Sequence, residues 1–258
     1  MKKLILFLLI VLACTLPPPV DADSFTVISR PCPGGVTAAS NMCDSTTDSS
    51  LLCEDFMGTT ACYTGGSENC RVTWTRTVSG TSTAAFDNSS SGTACFSTSN
   101  KDLAISRGDS NVIVYKAITD SSTAYLLFYF KPTSGTNSSS VSAFGLYDSS
   151  TALAYINFIQ DGSGNMSIKG VHRNSSNSLI QHTAFPVTAG TWYKVEIKWI
   201  ANQAVSGGFS IAINGTDKTG VDTTSINTNA DNVRASITAA FAFEIGAVKV
   251  HTSAPACN

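Results

Sequence analysis

The stretch Gly190-Thr-Trp-Tyr-Lys-Val-Glu-Ile-Lys-Trp199 alternates large apolar residues with charged ones from Tyr193 onward. Successive side chains of a β-strand point to opposite faces of a sheet, so one face here receives only apolar residues and the other only charged ones. The apolar set is Tyr193, Val195, Ile197 and Trp199, and the charged set is Lys194, Glu196 and Lys198. This pattern predicts a half-buried strand that covers a core with one face and meets water with the other.

The chain on either side of this stretch has the same character. From Leu51 onward, short segments rich in aromatic and β-branched residues alternate with turns of Ser, Thr, Asn, Asp and Gly, among them Asp161-Gly162 and Asn214-Gly215. Neither helical periodicity nor a fixed repeat is evident, so we predict an all-β fold, an antiparallel sandwich or barrel. The predicted strands are 51–56, 71–77, 103–107, 111–118, 124–131, 141–147, 152–160, 165–172, 179–183, 191–200, 208–214 and 241–250.

The composition limits the classes of protein. The chain has 258 residues, 43% of them hydrophobic and 13% charged, and its formal net charge is −2. Globular proteins usually have about 25% charged residues, so solubility must come largely from hydroxyl and amide groups. The near-neutral balance, without a run of Lys and Arg, argues against a nucleic-acid partner. A coiled coil, a charged disordered tail and a multi-span membrane protein are also excluded.

Residues 1–22 have the features of an export signal. Met1-Lys2-Lys3 is a basic start, and the apolar run 4–13 is too short to cross a bilayer as a helix, which needs about 20 residues. Val20-Asp21-Ala22 places small residues at the two positions that signal peptidase recognises. We therefore expect cleavage after Ala22 and a secreted protein without a transmembrane span.

The alternative is a lipid anchor, because Val11-Leu12-Ala13-Cys14 loosely resembles a lipoprotein box with Cys14 as the modified residue. Both interpretations place the protein outside the cytoplasm. The predicted organisation is a signal peptide (1–22), a cysteine-containing N-terminal extension (23–50) and one domain (51–258).

Seven of the eight cysteines follow the predicted cleavage site, and in an oxidising compartment they are expected to form disulfides. They are Cys32, Cys43, Cys53, Cys62, Cys70, Cys95 and Cys257. Zinc is disfavoured because no C-x2-C pair occurs and the histidines lie far from the cysteines in sequence. Three bridges would leave one thiol, either buried and free or linking two chains in self-association. The ends of a sandwich are often close, so one bridge could join Cys257 to an N-terminal cysteine.

Side-chain parity also predicts a second face that is aromatic and partly polar. In strand 124–131, Tyr125 and Tyr129 point away from the side that carries Leu126 and Phe128, and strand 152–160 divides in the same way. The predicted face consists of Tyr125, Tyr129, Tyr155 and Asn157, with Lys169 and Arg173 if the next strand keeps the same parity. Aromatic rings stack on sugar C–H faces and amides pair with hydroxyls, so this set is a candidate carbohydrate-binding site. The alternative is that the tyrosines only pack against the core or a loop.

The chain resembles a known superfamily. The 190–199 stretch and the following Phe209-Ser-Ile-Ala-Ile-Asn-Gly215 resemble the late strands of concanavalin A-like (laminin-G-like) jelly rolls. Leu51-Leu-Cys-Glu-Asp-Phe56 and Ala242-Phe-Glu-Ile-Gly-Ala-Val-Lys-Val250 resemble the first and last strands. The resemblance covers roughly 51–250 and implies two curved antiparallel sheets packed face to face, with a glycan commonly bound by the concave sheet. The 23–50 segment would then be a disulfide-tied extension.

Catalytic motifs of this superfamily are mostly missing. Its laminarinase-type hydrolases carry their paired carboxylates as E-x-D-x-x-E, and none of the glutamates stands in such a pattern. No Gly-x-Ser-x-Gly elbow supports a serine hydrolase. A polysaccharide lyase acting on uronate polymers would use His182, Tyr129 and Arg173. However, Gln181 and His182 are adjacent, whereas the Q-x-H motif of one lyase family places both side chains on one face.

A calcium site is a further alternative, since Asp161-Gly-Ser-Gly-Asn165 brings the oxygen ligands of Asp161 and Asn165 into a tight loop. A hairpin turn explains the same residues without a metal, and we expect no cofactor. The sequence as a whole predicts a secreted, non-catalytic β-sandwich that binds a carbohydrate or a cell-surface polymer through its concave sheet. A structural or adhesive surface subunit and a uronate lyase remain as alternatives.

Overall fold

The structure is a computed structural model that describes residues 50–54, 60–64, 69–87, 102–204, 207–219 and 224–253. The predictions for the signal peptide, for most of the 23–50 extension and for Cys257 lie outside these residues. Within the described ranges the chain is all β-strand and turn, with no helix, and therefore without a helix long and apolar enough to cross a membrane.

The described residues form eighteen strands. In chain order they are β1 (Leu52–Glu54), β2 (Thr60–Ala61), β3 (Asn69–Cys70), β4 (Thr75–Thr77), β5 (Thr83–Asp87), β6 (Asp102–Ser106), β7 (Val112–Ser121), β8 (Thr123–Ser134), β9 (Ser139–Asp148), β10 (Thr151–Gln160), β11 (Met166–Arg173), β12 (Leu179–Gln181), β13 (Phe185–Val187), β14 (Tyr193–Ile200), β15 (Phe209–Ile213), β16 (Thr216–Asp217), β17 (Ala230–Ile237) and β18 (Ala242–His251).

The strands build two eight-stranded antiparallel sheets. Sheet 1 has the order β16-β15-β14-β8-β18-β6-β5, with β1 also paired to β18. Sheet 2 has the order β12-β11-β10-β9-β17-β7-β4, with β13 also paired to β11. A separate two-stranded hairpin of β2 and β3 is closed by a disulfide between Cys62 and Cys70, and Cys53 is disulfide-bonded as well. The predicted antiparallel β-sandwich with disulfides near its N-terminal end is confirmed.

The core lies between the two sheets and is rich in phenylalanine. The ring centroids of Phe128 (β8) and Phe144 (β9) are 4.9 Å apart, and those of Phe130 (β8) and Phe158 (β10) are 5.4 Å apart, with edge-to-face geometry. Because β8 belongs to sheet 1 whereas β9 and β10 belong to sheet 2, these contacts join the sheets. Truncating a buried phenylalanine of this kind to alanine typically costs about 3–5 kcal/mol.

The strand from which the prediction started is β14, next to β8 in sheet 1. Val195, Ile197 and Trp199 are fully buried in the core, as the alternation predicts. The opposite face differs from the expectation in one respect, because Glu196 is buried rather than solvated. It forms an ion pair with Lys194, whose Nζ lies 2.9 Å from Glu196 Oε1.

A buried carboxylate fixes the segment that follows the disulfide hairpin. Glu54 accepts hydrogen bonds from the backbone N–H groups of Arg71 and Val72, both at 3.0 Å, and from Trp74 Nε1 at 3.3 Å. Three donors offset the cost of burying a carboxylate. In the region that was predicted as strand 71–77, only Thr75–Thr77 forms a strand. The strands β2, β3, β5, β13, β16 and β17 were not predicted.

Candidate functional site

A polar and aromatic surface covers the outer side of sheet 2, away from the core. On this side, Tyr155 of β10 is paired with Gly145 of β9, and Gly145 is in turn paired with Arg234 of β17. Directly paired residues of antiparallel strands project to the same face. The surface, which we call the tyrosine–arginine face, consists of Tyr115, Gly145, Tyr147, Tyr155, Asn157, Lys169, Val171, Arg173, Gln181, Asn232 and Arg234.

Two tyrosines form the floor of this face. The ring centroids of Tyr147 and Tyr155 are 6.4 Å apart, and the guanidinium carbon of Arg234 lies 5.6 Å from the centroid of the Tyr147 ring. Gly145 lies between them without a side chain, and a Cβ there would be 2.3 Å from the Ala154 carbonyl oxygen. The glycine therefore permits the close approach of β9 and β10 at the centre of the face.

The cations of this face are held by neutral acceptors. Arg173 donates from Nε to the Ala152 carbonyl oxygen at 3.1 Å and from Nη1 to the carbonyl and side-chain oxygens of Asn177 at 3.0 Å. Arg234 donates from Nη1 to the Ser149 carbonyl oxygen at 3.2 Å, and Lys169 donates from Nζ to Gln181 Oε1. No ion pair involving these three cations occurs in the described residues.

The carboxylates of Asp148 and Asp231 lie at one end of the tyrosine–arginine face, at the β9–β10 turn. Asp231 Oδ1 accepts hydrogen bonds from Ser149 N at 2.8 Å and from Asn232 Nδ2 at 2.5 Å, and Asp148 lies in the same turn. Asp231 therefore anchors the β9–β10 turn rather than pairing with an arginine.

Two polar atoms beside Ser149 have no hydrogen-bond partner among the described residues. Asn232 Nδ2 and Arg234 Nη1 both donate to the Ser149 carbonyl oxygen, at 3.1 and 3.2 Å, so the two side chains converge on one point. Asn232 Oδ1 and Arg234 Nε are nevertheless buried and unpaired, and Asn232 is only 5% exposed. A buried polar group without a partner costs about 1–3 kcal/mol, so the two unpaired atoms are a cost to stability beside the β9–β10 turn.

The phenols of the floor stay protonated at neutral pH. Burial raises the pKa of Tyr147 well above its usual 10, an effect that Tyr155 reinforces and Arg234 partly opposes. Burial also raises the pKa of Tyr155, against smaller lowering effects of a hydrogen bond from Ser142 and of the Arg173 charge. Neutral phenols can donate and accept hydrogen bonds, but they are poor general bases.

Four of the six residues predicted to bind carbohydrate lie on this face, namely Tyr155, Asn157, Lys169 and Arg173. Tyr125 and Tyr129 do not, because β8 belongs to sheet 1. They lie on the outer side of that sheet, paired with Lys198 and Lys194. The expectation of one shared face is therefore wrong for these two tyrosines, since parity within a strand does not reveal the sheet to which the strand belongs. The binding roles of all six residues stay predictions.

The rings are also less accessible than sugar stacking would require. Tyr129 and Tyr155 are only 5% and 6% exposed. At Tyr155 and Tyr147, which are 6% and 3% exposed, a ligand would therefore be recognised mainly through polar contacts, whereas the Tyr115 ring is partly exposed.

The outer side of sheet 1 has a different character, and we call it the ion-paired face. Lys131 forms an ion pair with Glu244, and its Nζ also lies 4.9 Å from the centroid of the Trp192 ring. Trp192 packs over Gly246, where a Cβ would lie 3.2 Å from the indole. Burial, with the added charge of Glu196, raises the pKa of Tyr129 well above its usual 10.

The three residues that a lyase would have used do not come together. His182 is buried, with its Nε2 2.9 Å from His172 Nδ1 and its ring stacked on Phe209. Tyr129 lies on the ion-paired face and Arg173 on the tyrosine–arginine face. These residues therefore occupy three separate environments, and the predicted lyase set is wrong in this arrangement.

The predicted calcium loop is a hydrogen-bonded turn. Asp161 Oδ1 accepts from Ser163 N at 2.8 Å and Asn165 N at 2.9 Å, and Oδ2 accepts from Asn165 Nδ2 at 2.9 Å. Both carboxylate oxygens are thus engaged within the turn. In the described part of the chain, no group of three or more His, Cys, Asp or Glu residues could hold a metal ion.

Sequence reasoning missed Tyr147, Asn232 and Arg234. The strand β17, which supplies the last two, was not predicted because the stretch around it is rich in Asn, Asp and Thr. A signal was present, since Val233, Ala235 and Ile237 alternate with Asn232, Arg234 and Ser236, which is the pattern of a half-buried strand.

Comparison with solved structures identifies similar β-rich proteins. The cellulose induced protein Cip1 matches with a TM-score of 0.51 and 10% identity, over 72% of this chain and 94% of that chain. A carbohydrate esterase from the Shiga toxin-encoding bacteriophage phi24B matches with a TM-score of 0.48 and 17% identity, over 70% of this chain and 90% of that one. The alginate lyase Aly36B matches with a TM-score of 0.45 and 13% identity, over 58% and 80%.

No protein-family model matches the chain, and no curated protein sequence is significantly similar to it. At these identities the structural likeness shows the fold alone.

Proposed function

We propose that the protein is an exported, non-catalytic module that binds carbohydrate on the tyrosine–arginine face. The observation that carries this proposal is the set of partly exposed polar side chains on this face, among them Asn157, Arg173 and Arg234, of which the two arginines are oriented by carbonyl oxygens. A sugar hydroxyl is both a donor and an acceptor, so it can pair with an amide group or with a guanidinium N–H group. The Asn157 side chain makes no hydrogen bond to another described residue and supplies such an amide.

Several features support binding without catalysis. Both floor tyrosines have raised pKa values and are poor bases at neutral pH, and His172 and His182 pack against each other in the interior. Disulfides support export, because they persist in oxidising compartments. We further propose membership of the concanavalin A-like superfamily, on the resemblance of its late strands and on the two-sheet architecture.

The proposal is tested by measuring binding of the purified protein to a panel of neutral and acidic polysaccharides by calorimetry and on an array. At least one polysaccharide should bind, and Asn157→Ala and Arg234→Gln should each weaken that binding. The expected loss for Arg234→Gln is about 10-fold or more, the cost of a charge-assisted hydrogen bond. The matched control is Lys198→Gln on the ion-paired face, which should bind as the wild type does.

Two outcomes would overturn the proposal. If the wild type binds no polysaccharide, a structural or adhesive role gains support. If Lys198→Gln weakens binding while Arg234→Gln does not, the site lies on the other sheet. The non-catalytic part is tested by incubating the protein with uronate polymers, because an increase in the ultraviolet absorbance of unsaturated products would identify a lyase.

A further inference from the structure

We infer that the carbohydrate bound by the tyrosine–arginine face is an acidic polysaccharide, one that carries carboxylate or sulfate groups. The inference rests on the proposed function and adds the chemical class of the ligand. Its basis is the charge distribution of the face, which includes Lys169, Arg173 and Arg234 but no carboxylate among the residues that the strand pairings place there. An anionic ligand would supply the missing counter-charge.

Both arginines keep donors available for such a ligand. Arg173 uses Nε and Nη1 for carbonyl and amide oxygens, and Arg234 uses Nη1 alone, so Nη2 of each has no acceptor among the described residues. The planar guanidinium matches the two oxygens of a carboxylate or sulfate. The carbonyl contacts orient both groups before the ligand binds, which reduces the entropy lost on binding.

The spacing of the cations favours a polymer over a small anion. Arg173 and Arg234 are on β11 and β17, which are separated by β10 and β9. Three inter-strand steps of about 4.8 Å place them roughly 14 Å apart across the sheet. Lys169 is four residues from Arg173 along β11, a distance of about 13 Å. A single small anion cannot contact all three cations, whereas successive charged units of one chain can.

A nucleic acid is the other anionic polymer to consider, and the face is poorly suited to it. Single-stranded nucleic acids are bound by stacking successive bases on accessible aromatic rings. The Tyr147 and Tyr155 rings are almost completely covered, which leaves Tyr115 as the one partly exposed ring among the residues assigned to this face. The chain as a whole has a net charge of −2, so it lacks the extended positive field typical of nucleic-acid-binding proteins. The amides of Asn157 and Asn232 instead suit sugar hydroxyls.

The test compares polymers that differ in charge. Polygalacturonate, its fully methyl-esterified form, alginate, hyaluronate, chondroitin sulfate, neutral xylan and single-stranded DNA are titrated into the full protein at low and at physiological salt. We expect an acidic polysaccharide to bind at least 10-fold more tightly than the neutral polymers, and its affinity to fall as salt rises. The carboxylated and sulfated arms distinguish the two sources of negative charge.

Single substitutions identify the side chains that bind the acidic polymer. Arg173→Gln and Arg234→Gln should each weaken binding of the acidic polymer about 10-fold and reduce its salt dependence, while Lys198→Gln leaves both unchanged. Thermal unfolding of each variant checks that the fold is intact. Equal binding of neutral and acidic polysaccharides would overturn the inference but keep the proposed function, whereas binding of none would overturn both. Binding of DNA as tightly as the acidic polysaccharide would show a general anion surface and would also overturn the inference.

Discussion

The outer faces of the two sheets contain similar numbers of cations, but the cations have different partners on the two faces. On the ion-paired face, Lys131 pairs with Glu244 and Lys194 pairs with Glu196. On the tyrosine–arginine face, the cations contact only carbonyl, amide and aromatic groups. The first face pairs two of its lysines with carboxylates, whereas the three cations of the second face have no ion pair among the described residues. Buried polar atoms without a hydrogen-bond partner occur on both faces, among them Ser210 Oγ on the first and Asn232 Oδ1 on the second.

This contrast is the reason for proposing the tyrosine–arginine face, rather than the ion-paired face, as the binding site. An arginine that is oriented by carbonyl oxygens but has no ion pair contributes little to folding. It keeps a positive charge that an anionic ligand can neutralise.

The largest expected effect is a difference in stability between two glycine-to-alanine variants, one on each face. In Gly145→Ala the new Cβ would lie 2.3 Å from the Ala154 carbonyl oxygen, whereas in Gly246→Ala the nearest atom is a Trp192 ring carbon at 3.2 Å. The backbone contact cannot be relieved without moving β10, so Gly145→Ala should lower the free energy of unfolding by about 3 kcal/mol. Gly246→Ala should cost about 1 kcal/mol or less, because the indole can shift. Urea unfolding of both variants measures the difference, and equal costs would contradict the packing described for the tyrosine–arginine face.

The next effect concerns charge. Glu244→Gln removes the partner of Lys131 in a partly buried pair, with side-chain exposures of 12% for Lys131 and 19% for Glu244. We expect it to lower the free energy of unfolding by about 1–2 kcal/mol, between the values for exposed and buried pairs. Arg234→Gln should cost only about 0.5–1 kcal/mol, since it loses the contact over Tyr147 and a partly exposed hydrogen bond to the Ser149 carbonyl but no ion pair. A double-mutant cycle with Lys131→Met isolates the pair. A larger stability loss for Arg234→Gln than for Glu244→Gln would contradict the expectation that charged groups stabilise the ion-paired face more than the tyrosine–arginine face.

The tyrosines of the two faces should respond to their neighbours in opposite directions. Glu196 helps to raise the pKa of Tyr129, whereas Arg234 lowers that of Tyr147 against the larger effect of burial. Glu196→Gln should therefore lower the Tyr129 pKa, and Arg234→Gln should raise the Tyr147 pKa further. Because these folded-state pKa values exceed the unfolded value of about 10, the stability that the neutral phenols contribute is complete below pH 10 and is lost as the pH rises above it.

Absorbance of tyrosinate against pH measures these shifts, and Tyr129→Phe and Tyr147→Phe assign the signals. Shifts of the same sign in the two charge variants would contradict the assigned environments. A tyrosine signal that titrates at pH 10 in the wild type and disappears in Tyr147→Phe would show that its ring is not buried.

The extent to which the sequence predicted this molecule can be followed along single strands. In β14, alternation assigned Val195, Ile197 and Trp199 to the core correctly, because the strand has one wet and one dry face. In β10 and β11, side-chain alternation correctly predicted that Tyr155, Asn157, Lys169 and Arg173 share one face, despite a register irregularity after Ile156. Side-chain alternation is a local property, because neighbouring residues of one strand are enough to assign its two faces.

The membership of a strand in a sheet is not local, and here the prediction failed. Tyr125 and Tyr155 both point away from the core, but β8 and β10 belong to different sheets, so the two rings are on opposite sides of the sandwich. Strand order depends on long-range pairing, such as that of β8 with β18. Arg234 was missed for a different reason, since the Asn, Asp and Thr residues around β17 obscured the alternation of its apolar and polar residues.

The smallest expected effect tests whether the β10–β11 turn is a structural support of the tyrosine–arginine face or a calcium site. A hydrogen bond from the Asn165 side chain, with further backbone hydrogen bonds, lowers the pKa of Asp161 below 3.8. A lowered folded-state pKa means that the carboxylate stabilises the fold above the unfolded pKa, and that this contribution is lost as the pH falls through the folded pKa. Asn165→Ala should therefore raise the Asp161 pKa towards 3.8, as measured by carboxyl chemical shifts, while binding on the face is unchanged.

Calcium should leave the melting temperature of the wild type unaltered, because both carboxylate oxygens already accept hydrogen bonds within the turn. A rise in melting temperature with calcium that disappears in Asp161→Asn would instead establish a metal site at this end of the sheet.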